Sequence, residues 1–247
     1  MDLLPAIDIR QGRVVRLSQG EATRQTVYGD DPVAIAERFA ELGALWIHVV
    51  DLDRAFGDGD NLACVRRIAD RVGPEVRIQL GGGLRSPALA REGLEQGASR
   101  VVIGTAAALD PAVVPAVVAL AGAERTAVGI DARDGVVTVR GWTETAGITP
   151  DALARRVITD GVRTLVYTDV ARDGMLAGPD LAGARRLQAL GAGVVASGGV
   201  SGNADVVAAR DAGLAGLIIG RAWYEGRVDL PAALAAARDA RGAAPGP

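Results

Sequence analysis

The sequence contains no lysine, one histidine and one cysteine among its 247 residues. The absence of lysine excludes Schiff-base catalysis, because that chemistry needs a lysine amine. A serine–histidine–aspartate arrangement would have to use His48, and a cysteine nucleophile would have to be Cys64. His48 lies in the apolar run LWIHVVD and Cys64 lies on the apolar stripe of a helix, so both are predicted to be core residues. Any catalysis is therefore expected to depend mainly on carboxylates.

Long apolar runs, blocks of positive charge and metal-binding clusters are also absent from the sequence. No run approaches the roughly 20 apolar residues that a membrane span needs, and Met1-Asp2 does not begin a signal peptide. The net charge is −3 and the arginines are scattered, which argues against nucleic acid as a partner. No cysteine–histidine cluster has zinc spacing, and a lone cysteine forms no internal disulfide. We therefore predict a cytoplasmic protein that binds no membrane, nucleic acid or metal.

The sequence does contain two copies of one set of short motifs. Three segments of the first copy match three segments of the second at a nearly constant offset in residue number. The matching segments occur in the same order in both copies. The matching segments are 78–107 with 196–223, 7–15 with 130–138, and 41–51 with 159–169. This pattern predicts an internal duplication, with halves at about 1–122 and 123–240.

Eight short apolar runs alternate with longer amphipathic segments throughout the chain. Continuous apolar runs are typical of parallel strands that are covered on both faces. Several helix starts are marked by a capping side chain before a proline, at Asp31, Ser86, Asp110 and Thr149. The predicted strands are 3–9, 44–51, 76–80, 100–104, 126–131, 163–169, 193–197 and 216–220.

Eight β-α units in two copies of four predict an α/β fold, a (β/α)8 TIM barrel over residues 1–240 built as two duplicated half-barrels. A doubly wound sheet is the alternative, but the G-x-G-x-x-G motif after the first strand is absent. The first strand is followed instead by a long polar loop over 8–31, and such loops are usually functional. Residues 241–247 have no periodicity and are predicted to form a flexible tail.

Glycines follow four of the predicted strands, at the barrel face where active sites lie. Glycine lets a phosphate approach the backbone closely, and a nearby helix start presents free N–H groups to it. Any one of these glycine steps is equally explained as a turn, but their repetition on opposite strands predicts two opposed phosphate sites. The expected ligand is a small molecule with a phosphate at each end. The steps are Gly82-Gly83, Gly104-Thr105, Gly198-Gly199 and Gly220-Arg221, after the third, fourth, seventh and eighth strands.

Two aspartates close opposite strands of the predicted barrel. Asp8 ends the first strand and Asp131 ends the fifth. Capping of a loop is the alternative role for either residue alone, but it explains a duplicated pair less well. Carboxylates on two sides of a substrate suit one general acid and one general base. With no lysine and no available histidine, we predict proton transfer rather than redox chemistry or hydrolysis.

Seven stretches of the sequence together resemble the isomerase family of histidine biosynthesis: LLPAIDIRQGRVVRL, WIHVVDLDRAFGDGDN, QLGGGLRS, RGW, TDVARDGMLAGPD, ASGGVS and LIIGRAWYEG. The resemblance covers about residues 3 to 230. Members of that family convert an aminoimidazole carboxamide ribotide (ProFAR) to its ribulosyl form (PRFAR), an Amadori rearrangement that needs no cofactor. The resemblance implies a substrate with two phosphates, Asp8 as the base that takes the proton from ribose C2, and Asp131 as the acid that protonates the ring oxygen.

Further residues match the family's site residue by residue. The resemblance implies that Arg16 binds substrate, that Trp142 stacks on the imidazole carboxamide and that Arg140 contacts a phosphate or the carboxamide. Thr168 and Asp173 match residues near the reacting ribose. Asp51 resembles a carboxylate that lines the site, although a position at a strand end also suits an orienting role. The full predicted substrate-binding set is Arg16, Gly82, Gly83, Gly104, Thr105, Arg140, Trp142, Thr168, Asp173, Gly174, Gly198, Gly199, Gly220 and Arg221.

Three other functions remain open at this point. Some relatives in the family also isomerise phosphoribosylanthranilate for tryptophan synthesis; these usually read Leu-Ser-Gly-Gly where this chain has Leu80-Gly81-Gly82-Gly83. The related cyclase usually has a cysteine before the first-strand aspartate, where this chain has PAID. A barrel kept only for binding is disfavoured because Asp8 and Asp131 are both intact. We expect a monomeric isomerase that acts on ProFAR.

Overall fold

The computed structural model describes residues 1–18 and 21–239 of the chain. The predicted flexible tail at 241–247 lies outside these described residues and stays a prediction.

A closed barrel of eight parallel strands forms the centre of the protein, as the sequence predicts. The first and last strands pair at Asp2 and Gly216, and the fifth and sixth pair at Asp131 and Thr168, so the ring is complete. The doubly wound alternative is therefore wrong, while the duplication into two halves stays a prediction. The barrel strands are β1 Asp2–Arg10, β4 Trp46–Asp51, β5 Arg77–Gly81, β6 Arg100–Ile103, β7 Thr126–Arg133, β10 Thr164–Asp169, β11 Gly193–Ser197 and β12 Gly216–Ile219.

Helices surround the barrel between consecutive strands. Eight of them form the outer layer: α1 Pro32–Glu41, α3 Leu62–Val72, α4 Pro87–Glu95, α6 Val113–Ala121, α7 Pro150–Thr159, α8 Leu181–Gln188, α9 Asn203–Asp211 and α11 Leu230–Arg238. Three short helices lie on loops at the carboxyl ends of strands: α2 Leu52–Phe56, α5 Thr105–Leu109 and α10 Arg221–Tyr224. A 3-10 turn covers Ala123–Arg125. Within 1–18 and 21–239, no helix is long and apolar enough to cross a membrane.

Three of the four predicted helix caps are confirmed. The side chains of Asp31, Ser86 and Thr149 each accept a hydrogen bond from a backbone N–H in the first turn of the following helix. The prediction for Asp110 is wrong, because α6 begins only at Val113. Asp110 instead stabilises the turn between α5 and α6. Its carboxylate accepts a hydrogen bond from the N–H of residue 112, which is the arrangement of an Asx turn.

The long polar loop predicted after the first strand is largely a β-hairpin. Its strands are β2 Arg13–Ser18, antiparallel to β1, and β3 Glu21–Gly29. A tight turn at Gln11 and Gly12, with φ of +50° and +72°, reverses the chain, and two positive φ values are typical of such hairpin turns. After β7 the chain makes a similar turn at Asp134 and Gly135, with φ of +52° and +78°, and continues in β8 Val136–Val139 and β9 Glu144–Thr145.

Two apolar cores hold the barrel together. The larger lies between the strands and the outer helices, and it includes fully buried side chains such as Phe39, Ile47 and Leu153. The smaller fills the inside of the barrel. Because the interior is packed, the space for a ligand lies above it, at the carboxyl ends of the strands. The inner core consists of Leu4, Ala6, Trp46, Val102, Ala127, Val166, Val195 and Ile218.

Candidate active site

One cavity of about 280 Å3 opens at the carboxyl ends of the barrel strands. The structure brings all sixteen sequence-predicted site residues together on its wall. These residues are Asp8, Arg16, Gly82, Gly83, Gly104, Thr105, Asp131, Arg140, Trp142, Thr168, Asp173, Gly174, Gly198, Gly199, Gly220 and Arg221.

Asp8 lies on one side of this cavity and is paired with a cation. The hairpin after β1 turns Arg16 back over the strand end, where its Nη1 donates to Asp8 Oδ2 at 2.8 Å. The Nη2 of Arg16 lies 3.8 Å from Asp173 Oδ1. Burial raises the pKa of Asp8, and the neighbouring Arg16 charge opposes that shift. The ion pair therefore favours the carboxylate form of Asp8.

Asp131 lies on the opposite side, at the end of β7, and its partners are neutral. The indole Nε1 of Trp142 donates to Asp131 Oδ2 at 2.9 Å, and the Thr168 hydroxyl also hydrogen-bonds the carboxyl group. Burial raises the pKa of Asp131, and these two hydrogen bonds only partly oppose that shift. Because no cation among the described residues pairs with it, Asp131 is the better placed of the two aspartates to hold a proton.

The loop that carries Trp142 has an unusual backbone. Arg140, Gly141 and Trp142 have φ of +54°, +65° and +70°, a region that is uncommon for residues with a side chain. The Arg140 N–H donates to Thr105 Oγ1 at 3.0 Å, which ties the loop to the end of β6. The Arg140 guanidinium turns to the surface and pairs with Glu144. Such local strain is characteristic of functional loops, and here it holds the indole over Asp131.

The paired glycines are required by the protein's own chain. Gly82 has φ of +95°, and a Cβ atom there would lie 2.2 Å from the carbonyl oxygen of Asp51. Gly199 has φ of +84°, and its Cβ would lie 2.4 Å from the carbonyl oxygen of Gly178. In each case the loop after the preceding strand crosses directly over the glycine. These close approaches explain the glycines without a ligand, although the same residues also line the cavity.

The glycines after β6 and β12 share a different conformation. Gly104 has φ of −97° and ψ of −104°, and Gly220 has φ of −108° and ψ of −108°. The Arg16 guanidinium lies across Gly220, with Nη2 2.6 Å from where a Cβ would be, so a side chain there would displace Arg16. At Gly104 a Cβ would have nothing within 4 Å. Crowding by the protein therefore explains the glycine at Gly220 but not the one at Gly104.

Three residues that the sequence left ambiguous are now placed. Asp51 is 1% exposed, and it accepts hydrogen bonds from the backbone of Arg54 and from Asn61, so it orients neighbours and does not line the cavity. Cys64 is half-buried on α3 and packs against the outer core, as predicted. His48 is hydrogen-bonded to Gln79, as predicted for a core histidine, but its side chain also lines the cavity, which was not predicted. The His48 side chain points into the barrel, on a strand whose two faces are both covered by other residues.

Arg85 and Phe56 are among the cavity residues that sequence reasoning missed. Arg85 follows the Gly82-Gly83 step, and its Nη2 donates to the carbonyl oxygen of Ala55 at 2.7 Å. Phe56 lines the same wall, below Gly141. The signal for Arg85 was its place two residues after a glycine pair. Phe56 left no such signal.

Two opposed carboxylates in one cavity at the carboxyl ends of eight parallel strands define a (β/α)8-barrel enzyme of the acid–base type. The chain belongs to the histidine biosynthesis protein family, whose model matches residues 2–229.

Similar proteins cover nearly the whole chain. A protein of Symbiobacterium thermophilum is 49% identical over 246 residues, which are 98% of each chain. One of Opitutus terrae is 48% identical over 237 residues, covering 93% of this chain and 96% of that protein. One of Methylocella silvestris is 48% identical over 239 residues, covering 95% and 96%. Each is named 1-(5-phosphoribosyl)-5-((5-phosphoribosylamino)methylideneamino)imidazole-4-carboxamide isomerase.

Proposed function

We propose that this protein is the isomerase that converts ProFAR to PRFAR in histidine biosynthesis. The observation that carries the proposal is the pair of half-buried aspartates on opposite strands of one cavity, one beside a cation and the other beside neutral donors. An aldose–ketose rearrangement needs a base and an acid at the same substrate, and this pair supplies both. The names of the relatives support the same reaction.

The partners of the two aspartates assign their roles. Asp131, whose pKa burial raises, gives its proton to the ribose ring oxygen as the bond from C1 to that oxygen breaks, and the nitrogen lone pair forms a C1=N double bond. Asp8, whose carboxylate form Arg16 favours, takes the proton from C2; the electron pair of that C–H bond forms a C1=C2 double bond, and the π pair of C1=N returns to the nitrogen. The C2 hydroxyl then loses its proton while C1 gains one, which leaves a ketone at C2 and a CH2 group at C1. Each transfer typically accelerates the reaction by about 10²–10⁴-fold.

Two phosphates of one substrate fit the two glycine-lined ends of the cavity. Each end has an arginine: Arg85 beside Gly83, and Arg221 beside Gly220. An arginine and free backbone N–H groups are the usual partners of a phosphate. Trp142 lies between the two ends, where its ring is available to stack on the imidazole. The substrate is then a bisphosphorylated small molecule, and the enzyme acts as a cytoplasmic monomer without cofactor or nucleic acid.

Turnover of ProFAR by the purified protein tests the proposal directly. We expect isomerisation in buffer without added cofactor, followed by the absorbance change or by chromatography of PRFAR. No turnover by a folded preparation would contradict the proposed function.

Phosphoribosylanthranilate separates the single-substrate enzyme from a dual isomerase. This smaller substrate has one phosphate, so it would leave one end of the cavity empty and bring a carboxylate that needs its own cation. We expect ProFAR to be strongly preferred. Values of kcat/KM within about tenfold for the two substrates, a gap of about 1.4 kcal/mol, would establish a dual isomerase instead.

The two arginines test the phosphate sites separately. Arg85→Gln and Arg221→Gln are each expected to raise KM for ProFAR by about tenfold or more, since each loses a charged hydrogen bond. Arg66→Gln is the matched control, because Arg66 pairs with Asp70 on the exposed face of α3. An unchanged KM in one variant would contradict the proposed phosphate site at that end of the cavity.

A further inference from the structure

Three polar side chains on neighbouring strands form a hydrogen-bonded row, and one of them, His48, lines the cavity. His48 on β4 is paired in register with Gln79 on β5, and Gln79 is paired with Arg100 on β6. Gln79 Nε2 lies 2.9 Å from His48 Nδ1, and Arg100 Nε lies 2.8 Å from Gln79 Oε1. Gln79 is 0% exposed and Arg100 is 8% exposed. The three residues form one buried hydrogen-bonded chain that ends at the cavity.

Arg100 fixes the direction of this chain. A guanidinium only donates hydrogen bonds, so the Gln79 atom that contacts it must be the amide oxygen. The amide nitrogen of Gln79 then faces His48 and donates to Nδ1, which must carry a lone pair. In a neutral ring the proton therefore lies on Nε2.

The His48 ring is neutral at physiological pH. Burial, reinforced by the charges of Arg16 and Arg100, lowers the pKa of His48 to about 3. Its Cε1 lies 3.7 Å from where a Cβ on Gly81 would be, which puts the ring edge against the cavity wall. Among the described residues, Nε2 has no hydrogen-bond partner, so its proton is available to a ligand.

Arg100 is retained here at an energetic cost. Its guanidinium stacks on the Trp46 ring, 4.4 Å from the centroid, but its Nη2 is buried without a hydrogen-bond partner among the described residues. An unsatisfied buried donor destabilises the fold, whereas an apolar side chain of similar size would pack without that cost. Packing alone therefore does not account for an arginine at this position, while the fixed orientation of the Gln79 amide does.

We propose that Gln79 and Arg100 are positioning residues that hold His48 in the Nε2–H form, so that it donates a hydrogen bond to a ribose oxygen of the bound substrate. The proposal rests on the proposed function, since it takes ProFAR as that substrate. His48 is paired in register with residue 6 of the neighbouring strand β1. Asp8 lies two residues further along β1, nearer the mouth of the barrel. A neutral donor at that position orients the sugar without adding a charge that would compete with Arg16 for Asp8.

The tautomer is directly measurable because the chain has one histidine. In protein labelled with 15N-histidine, we expect the free enzyme at pH 7 to show a neutral ring protonated at Nε2. Gln79→Glu keeps the shape of the side chain, but its carboxylate pairs with Arg100 and can only accept from the ring. The variant should therefore show a ring protonated at Nδ1, or a charged ring. Gln96→Glu, at the end of α4 and away from the cavity, is the matched control and should give the wild-type spectrum.

Activity then tests whether the tautomer matters to catalysis. Gln79→Glu is expected to lower kcat/KM for ProFAR by about tenfold, the size expected for one lost hydrogen bond, while Gln96→Glu stays at the wild-type value. If Gln79→Glu does not fold, Gln79→Met serves instead, since it removes the donor and should leave both tautomers populated. A wild-type ring protonated at Nδ1 would overturn the proposed chain. An altered tautomer with unchanged kcat/KM would overturn the positioning role.

The two readouts also separate this inference from the proposed function. A protein that does not turn over ProFAR would contradict the function, but its spectrum would still report the His48 tautomer. A protein that turns over ProFAR with the wrong tautomer would contradict only the inference.

Discussion

The inner layer of the barrel differs between the predicted halves, although the sequence offsets align its positions one to one. On β4, β5 and β6 the first half carries Trp46, Arg77, Gln79 and Arg100. The matching positions on β10, β11 and β12 are Thr164, Gly193, Val195 and Gly216. At these positions the large side chains therefore come from the first half, and Arg77 and Arg100 both stack on Trp46.

At the mouth of the barrel the same halves are nearly alike. Asp8 and Asp131 both end a strand that continues into a hairpin with two positive φ values at its turn. Gly104 and Gly220 share an uncommon backbone conformation. One barrel interior has space for only one set of large side chains, whereas the proposed substrate brings two similar phosphates to the mouth. Under the predicted duplication, packing would account for the difference between the halves in the interior, and the proposed ligand for their likeness at the mouth.

Replacing either aspartate should have the largest effect on activity. The two variants show whether both sides of the cavity take part in catalysis. Asp8→Asn and Asp131→Asn are each expected to lower kcat by about 10²–10⁴-fold, because an amide neither accepts the C2 proton nor donates to the ring oxygen as an acid. Turnover assays with circular dichroism as the folding control provide the measurement. A folded variant that keeps more than about a tenth of the wild-type rate would show that its carboxyl group is not the acid or base.

Truncating the inner layer should destabilise one half far more than the other. Trp46→Ala is expected to cost about 3–5 kcal/mol in the free energy of unfolding, since it leaves a cavity and removes the ring on which two arginines stack. Thr164→Ala, at the matching position, should cost about 1 kcal/mol or less. Urea unfolding compares the two variants. Equal losses would mean that the inner layer is not asymmetric in energy.

The partners of the two aspartates should shift opposite limbs of the pH profile. Arg16→Gln removes the cation that opposes the raised pKa of Asp8, so the base stays protonated to higher pH and the acid limb moves up. Trp142→Phe removes a hydrogen bond that lowers the pKa of Asp131, so the acid keeps its proton longer and the basic limb moves up. The expected loss of kcat/KM is about 10–100-fold for Arg16→Gln and up to about tenfold for Trp142→Phe.

Measurement of kcat/KM across pH checks both shifts. Each variant serves as the control for the other. If both variants moved the same limb, the assignment of one base and one acid would have to be abandoned.

The smallest expected effect is a change in Tm, which should rise when Asp131 is replaced but not when Asp8 is replaced. Burial raises the folded-state pKa of Asp131, so its contribution to stability is present below its unfolded pKa and is lost as pH rises through the folded value. At pH 7, Asp131→Asn removes that penalty and should raise Tm by about 2–4 °C if it is worth about 1 kcal/mol.

Asp8→Asn should not raise Tm, because among the described residues it leaves the Arg16 guanidinium with Asp173, at 3.8 Å, as its one remaining carboxylate. Calorimetry at pH 7 compares the two variants with wild type, and the gain for Asp131→Asn should shrink at lower pH. A rise in Tm for both variants would show that the Arg16 ion pair does not stabilise the fold.

The strands and the site residues were predictable from the sequence for a common reason. Parallel strands covered on both faces are written as continuous apolar runs, and polar residues or glycines that end such runs must meet at one end of a barrel. The inward direction of His48 was not predictable, because apolar neighbours on both faces of β4 hide which way the pleat turns. The hairpin after β1 was missed because a Gln-Gly turn is a weaker signal than Asn-Gly or Asp-Gly.

The pairing of β1 with β12 also sets the order in which the chain can fold. On the ribosome, β1 is synthesised first. One of its two neighbours in the barrel, β12, is complete only when residue 219 has been added. Until then one edge of β1 exposes unpaired backbone N–H and C=O groups, which are the groups that nucleate pairing between chains. The ring therefore closes as a late step of synthesis, and the nascent protein depends on that step to lose its last open sheet edge.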